Sequence, residues 1–363
     1  MKTAILVKTI LICVLLCTYG YEAKAFHGGN MSEAEKIYIK LALLGDLSDL
    51  ETTLSSAEGA EAVMKSFNAK FVDKLHGINL DSIKDPLIRQ VMKLHLNYWR
   101  QALLTPDKLE KLEQQLKAGL VKIANENLIP GSMFDFESMQ APMTDYIKNQ
   151  GYGVLIFGRT LPLFELMLWK KNEDHQYTVI LTDSSEKVNV THIGDFISGG
   201  WSSYATHGVA STGGWATKEQ LFCVCESYQL DSEKFLVSYL KHEGRHFADY
   251  KKYPNLQSAS LEYRAKLTEL SFAEKTSHNL LTEFEQNAVA NTQVGHSLAN
   301  WHVVKNMSDR LGLLANPDVK IDWAKIDVQD IQQAARQLLK KSDQELIKLG
   351  ALNTQNIIFP AIR

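Results

Sequence analysis

The stretch Leu240–Tyr250 reads LKHEGRHFADY and holds two histidines separated by three residues, with a glutamate directly after the first. On an α-helix, residues four apart lie on one face about a turn apart, so His242 and His246 can reach a single ion. Imidazole nitrogens in that arrangement suit tetrahedral zinc. Glu243 is offset toward the side of the same ion, where it can hold and deprotonate a metal-bound water. Val237, Leu240 and Phe247, with Leu236, supply the apolar face that would bury such a helix.

A catalytic zinc needs a third protein ligand and an open position. Downstream lies LEYRAKLTEL. Glu262 follows His246 by 16 residues, which leaves room for a turn at Tyr253–Leu256 and a second helix packing back on the first. Ser258 or Ser260 could cap that helix. Glu262 is the favoured third ligand, and Ala265 beside it would let the two helices approach closely. Glu269 is the competitor, seven residues later on the same helical face. Asp249, three residues after His246, is placed to accept an imidazole N–H, a common way of orienting a metal-binding histidine.

HEGRH followed by EYRA resembles the gluzincin arrangement of zinc metallopeptidases, HExxH followed by a glutamate on the next helix. The resemblance covers roughly Gly199 to His302. It implies zinc bound by His242, His246 and Glu262, with Glu243 as general base and acid. It also implies an oxyanion donor from a later helix, for which His296 in VGHSLANWH is the first candidate. His207 and Tyr204 are the next. Gly213–Ala216 would form part of the rim along which an extended peptide lies. The family often carries an acidic residue soon after its glutamate ligand, and Lys266 stands in that neighbourhood here. A metzincin would need a third histidine six residues after the second, where this chain has Lys252.

The elements that must position these residues are read from periodicity. Ser32 to about Asn149 is helical, with apolar residues three and four apart in KIYIKLALLGDL, AVMKSFNAKFVDKLHGI, PLIRQVMKLHLNYWRQALL and KLEKLEQQLKAGLVKIA. The pattern changes near Gly151. PLFELMLWKK and QYTVILTD predict two strands joined by a turn at NEDH, and EKVNVTHIGDFIS predicts another. A glycine- and serine-rich loop then leads into LFCVC. Asp231 and Ser232 can cap a helix through the HExxH motif, and Pro254 limits its far end. Further helices are expected to about Met307 and from Asp327 to Leu349. The expected fold is α+β and mostly helical: a zincin-like region, with a small antiparallel or mixed sheet before the HExxH helix, flanked by helical N-terminal and C-terminal regions. The expected division is 1–25, 26–150 and 151–363.

Residues 1–25 read as a signal peptide. Lys2 and Lys8 precede a short apolar run, and Ala23-Lys24-Ala25 suggests cleavage before Phe26. Export to a periplasm or the exterior is therefore expected, without stable membrane insertion afterwards. The chain of 363 residues has a formal net charge of -3, so no nucleic-acid partner is implied. Cys13 and Cys17 would leave with the signal. Cys223 and Cys225 remain, either as buried thiols or as an unusual bridge or reactive pair. Asn30, Asn189 and Asn306 begin N-glycosylation acceptor patterns. The leading expectation is an exported zinc-dependent metallopeptidase acting on peptide or protein substrates. An inactive zincin-like binding protein, or a zinc hydrolase of a non-peptide bond, are the alternatives.

Overall fold

The computed structural model describes residues 16–18, 31–73, 80–128, 131–160, 162–217, 220–292, 294–313 and 321–354. Most of the expected signal segment, its cleavage point and Asn30 lie outside these. The chain is α+β and mostly helical, with a small mixed sheet. Among the described residues no helix is long and apolar enough to cross a membrane.

The chain forms two compact units, and they do not part at Gly151. One comprises Val14–Glu173 and His192–Gly213; the other includes Asp174–Thr191 and Gly214–Arg363. Strands that follow the helical region supply part of the first unit's core, which is why a change in periodicity does not mark the boundary.

In the first unit, β1 (Leu16–Thr18) precedes α1 (Glu33–Leu44), α2 (Leu50–Leu54), α3 (Ala60–Phe67), α4 (Pro86–Leu104), α5 (Leu109–Asn127) and α6 (Gln140–Asn149). Helix α1 starts at a capping box, in which Ser32 Oγ accepts from Glu35 N and the Glu35 carboxylate from Ser32 N. It stops at Gly45, whose φ of 78° is left-handed. Pro86 opens α4 behind the Asp85 cap. Strand β2 (Gly153–Thr160) pairs antiparallel with β3 (Leu163–Ile180). The unit also holds the end of β4 (Ser185–Gly199), then α7 (Gly200–Ala205) and β5 (Ala210–Thr212), which pairs antiparallel with β1. Leu163, Phe164, Leu166, Leu168, Trp201 and Tyr204 join the helices' apolar faces in one core. Trp99 Nε1 donates to Phe164 O at 2.8 Å inside it.

Glu165 lies fully inside this core. Its carboxyl meets Thr160 Oγ1 at 2.5 Å and accepts from the backbone N–H of Trp201 and Leu166 at 2.9 and 3.0 Å. Burial outweighs these bonds and pushes its pKa up to about 7. Folding therefore takes up a proton at this site. The stability it carries is fully present below the ordinary carboxylate range and is lost as pH rises through about 7. Glu165→Gln keeps the acceptor and cannot ionise. Its unfolding free energy is expected to change less than the wild type's between about pH 5 and pH 8, by on the order of 3 kcal/mol. Parallel curves in urea titrations would contradict this.

In the second unit, β3 and β4 continue into a tight turn closed by Leu181 N–H to Ser184 O at 2.9 Å. Strand β3 runs unbroken through NEDH, so the expected turn there is absent. Residues 170–176 are solvent-facing on both sides or nearly so, and such a stretch has no apolar alternation to announce a strand. Strands β6 (Gly214–Ala216) and β7 (Leu221–Val224) pair antiparallel and end the strand order β2-β3-β4-β7-β6. The sheet's apolar side, with Val179, Leu181, Val188, Val190 and Leu221, packs with Phe235, Tyr239, Leu240 and Phe247.

Those last four residues belong to one long helical run. Its first part, Lys234–Lys241, is π-wound, and it passes directly into α8 (His242–Lys252). Ser232 Oγ accepts from Phe235 N at its start, as expected. The wider winding turns Leu236 out to 43% exposure while Val237 and Leu240 stay inside. Gly244 lets α8 lie close on β3, because a Cβ there would stand 2.8 Å from Val179 Cγ1. After a turn at Pro254 come α9 (Ser258–Phe272), α10 (Ser277–Gln286), α11 (Gly295–Arg310) and α12 (Val328–Leu349). Helix α9 is central and buried on nearly every side, against α8, α11 and α12. Asn306 on α11 is 4% exposed and donates to Tyr263 Oη, so its acceptor pattern is closed to glycosylation in the folded chain. Asn189 on β4 is exposed.

Candidate metal centre

A helix buried all round is ordinarily apolar all round. Helix α9 instead carries Glu262, Arg264, Lys266 and Glu269 inside, and each has a defined environment. Lys266 lies with Nζ 4.5 Å from the centre of the Phe284 ring. The other three face α8, and they organise the site.

His242 and His246 project from one face of α8 as their spacing requires, both at most 1% exposed. Their Nε2 atoms stand 3.1 Å apart. Glu262 reaches across from α9, placing Oε2 3.5 Å from His242 Nε2 and Oε1 3.3 Å from His246 Nε2. Among the described residues these three form the group able to hold a metal ion. Ligand bonds of about 2.0–2.1 Å in a tetrahedron put ligand atoms ~3.3 Å apart, and the three edges found here match that spacing. Two imidazoles and a carboxylate at these spacings could share one metal ion.

Glu269 does not share in that group. Its Oε1 lies 2.6 Å from His242 Nδ1, on the far side of the ring. That contact fixes Nδ1 as the protonated nitrogen and turns the Nε2 lone pair toward His246 and Glu262. Between the two glutamates of the sequence reading, Glu262 joins the group that could hold a metal, and Glu269 contacts the far nitrogen of His242. Burial disfavours a proton on His242, but Glu269 and Glu262 outweigh it and push its pKa up to about 10. The negative charge that would hold a proton there would equally hold a cation.

Asp249 does not accept from an imidazole. Its carboxylate is taken by Arg264, through Nε at 2.6 Å and Nη2 at 2.9 Å, with Arg245 Nη1 at 3.5 Å. His246 Nδ1 is buried without a hydrogen-bond partner among the described atoms. Arg245, inside the motif, also pairs with Asp183 at the β3–β4 turn, and Arg264 with Asp343 on α12. The motif's charged residues on that side thus form an ion-pair layer tying α8 to α9, α12 and the sheet.

Glu243 is fully buried, and among the described residues neither of its carboxylate oxygens has a hydrogen-bond partner. Burial pushes its pKa up to about 7, against the lowering pull of His246 and His242. An unpartnered carboxyl at such depth is costly unless something absent from the bare chain satisfies it, as a metal-bound water would.

His296, at the start of α11, is 35% exposed and sets Nδ1 2.9 Å from Glu262 Oε2. It therefore lies at the site, as a close charge partner of the Glu262 carboxylate. Tyr204 and His207 lie in the other unit, Tyr204 within 5.7 Å of Phe71 and Trp99 by ring centroids, and His207 5.8 Å from Tyr38. Gly214 and Trp215 are part of β6, the last strand in the sheet order. Gly214 is required for packing, because a Cβ there would collide with Phe222 O and the Tyr239 ring. The spacing does not announce Arg264, which stands two residues after Glu262 and yet also reaches α8 through Asp249. No protein-family model, curated protein or solved structure matches this chain.

Proposed function

We propose that this protein is a zinc-dependent metallopeptidase. The observation that carries the reading is the buried His242–His246–Glu262 group, with ligand-atom spacings of 3.1, 3.5 and 3.3 Å, next to a buried carboxyl that lacks a hydrogen-bond partner among the described residues. His242, His246 and Glu262 would hold the ion, and zinc when bound supplies an acidified water and a polarised carbonyl. Glu243 would serve as the proton acceptor and then as donor to the leaving amine, a role its raised pKa suits. Glu269 keeps His242 in the ligating tautomer. His296 steadies Glu262 through Nδ1, and its Nε2 is the nitrogen left to donate to the oxyanion. An extended substrate would add along β6, where main-chain pairing binds peptides without regard to sequence. Action outside the cytoplasm, with 1–25 as the export signal, is part of the proposal.

Metal content tests the reading. Purified wild type is expected to carry about one zinc per chain, and His246→Ala to lose it. A folded wild type that binds no zinc even after incubation with the metal would refute the proposal.

A further inference from the structure

Strand β7 ends at Val224, between Cys223 and Cys225, and neither cysteine is bridged. Two cysteines two apart on a straight strand point to the same side, with Cα atoms about 6.6 Å apart. That is the outer limit for a disulfide, roughly 6.8 Å. The chain does not stay straight here. Val224 takes φ -79° and ψ 84°, close to an inverse γ-turn, and Cys225 opens a short 3-10 turn over Cys225–Ser227. This bend swings the second side chain back toward the first, and the sulfurs come within 3.0 Å. The two differ in access: Cys223 is fully buried and Cys225 half-buried. Cys223 stands opposite Gly214 in the hairpin, so no cross-strand side chain lies over it from β6.

We propose that Cys223 and Cys225 form a dithiol modification site that closes to a disulfide by exchange with a small-molecule disulfide. Cys225, the accessible member, attacks as thiolate and forms a mixed disulfide, releasing one small thiol. Cys223 then gives up its proton, attacks Cys225 Sγ and releases the second small thiol. The protein loses two protons and two electrons, and the small disulfide gains both as two small thiols. The site lies outside the metal group and does not depend on it. It sits in the β6–β7 hairpin, which packs with the helical run through Tyr239.

The test incubates the folded full chain with oxidised glutathione, quenches in acid, and maps peptides by mass. Wild type is expected to lose two hydrogens in the peptide spanning Leu221–Leu230, to keep no glutathione, and to recover under dithiothreitol. Cys223→Ser is expected to retain one glutathione on Cys225, and Cys225→Ser to stay unmodified. The wild-type measurement decides even where a variant fails to fold. A chain that stays reduced while native, keeps glutathione without resolving it, or bridges instead to Cys13 or Cys17 would overturn the assignment.

Discussion

Glu243→Gln should still bind one zinc per chain and hydrolyse peptides about 10²–10⁴-fold more slowly than wild type, the usual contribution of a general base. Glutamine has nearly the same shape and cannot take a proton. Glu243 is not among the three grouped ligands, so the metal should stay. Nor should the fold suffer. The wild-type carboxyl is fully buried with no hydrogen bond to lose, and a neutral amide is cheaper to bury than a charge. The unfolding midpoint is therefore expected to hold or rise. Zinc analysis, peptide turnover and thermal unfolding on the same preparation separate the cases. Undiminished turnover with zinc bound would remove Glu243 from the mechanism.

The second large effect is on stability. Asp249→Ala is expected to cost about 3–5 kcal/mol, because it leaves buried arginines without their shared carboxylate. Asp249 and Arg264 are each 1% exposed, and Arg245 likewise. Arg245 retains Asp183, and Arg264 retains Asp343, but both of those acids are more exposed and lie at the edges of the layer. Because Asp249 joins α8 to α9, and these helices carry His242, His246 and Glu262, zinc affinity should fall along with stability. Urea unfolding with and without added zinc measures both. A loss below about 1 kcal/mol would mean that the layer is no stronger than a surface ion pair.

Much of the site could be read from spacing alone. His242, His246 and Glu262 are near in sequence, and same-face geometry on two adjacent helices settles their meeting. Glu269 was harder for the same reason. Seven residues from Glu262, it shares the face but stands two turns along, where it meets the back of the His242 ring. Face can be read from a sequence and depth cannot. Asp249 shows a different limit. It does lie three residues after His246, yet Arg264 offers a bidentate partner from α9, and a charged fork outcompetes an imidazole N–H. Leu236 was misplaced because an α-helical count does not hold through π-wound Lys234–Lys241. The unbroken β3 is hidden by a polar stretch whose strand character comes from its place between β2 and β4 in the sheet, which its own apolar pattern does not show.

The interleaving of the two compact units restricts how this protein can be cut. A fragment starting at Gly151 would keep the whole metal group but strip the helices that cover Leu163, Phe164, Leu168 and Trp201. A fragment starting at Gly214 would lose Val179, against which Gly244 packs, and Asp183, which pairs with Arg245. No single break in the polypeptide frees the unit with the metal group from the other, because a cut before Asp174 carries His192–Gly213 along. Trimmed versions for crystallisation or assay would have to splice Asp174–Thr191 onto the later segment, and a precursor that loses its helical half by one proteolytic cut would expose apolar core.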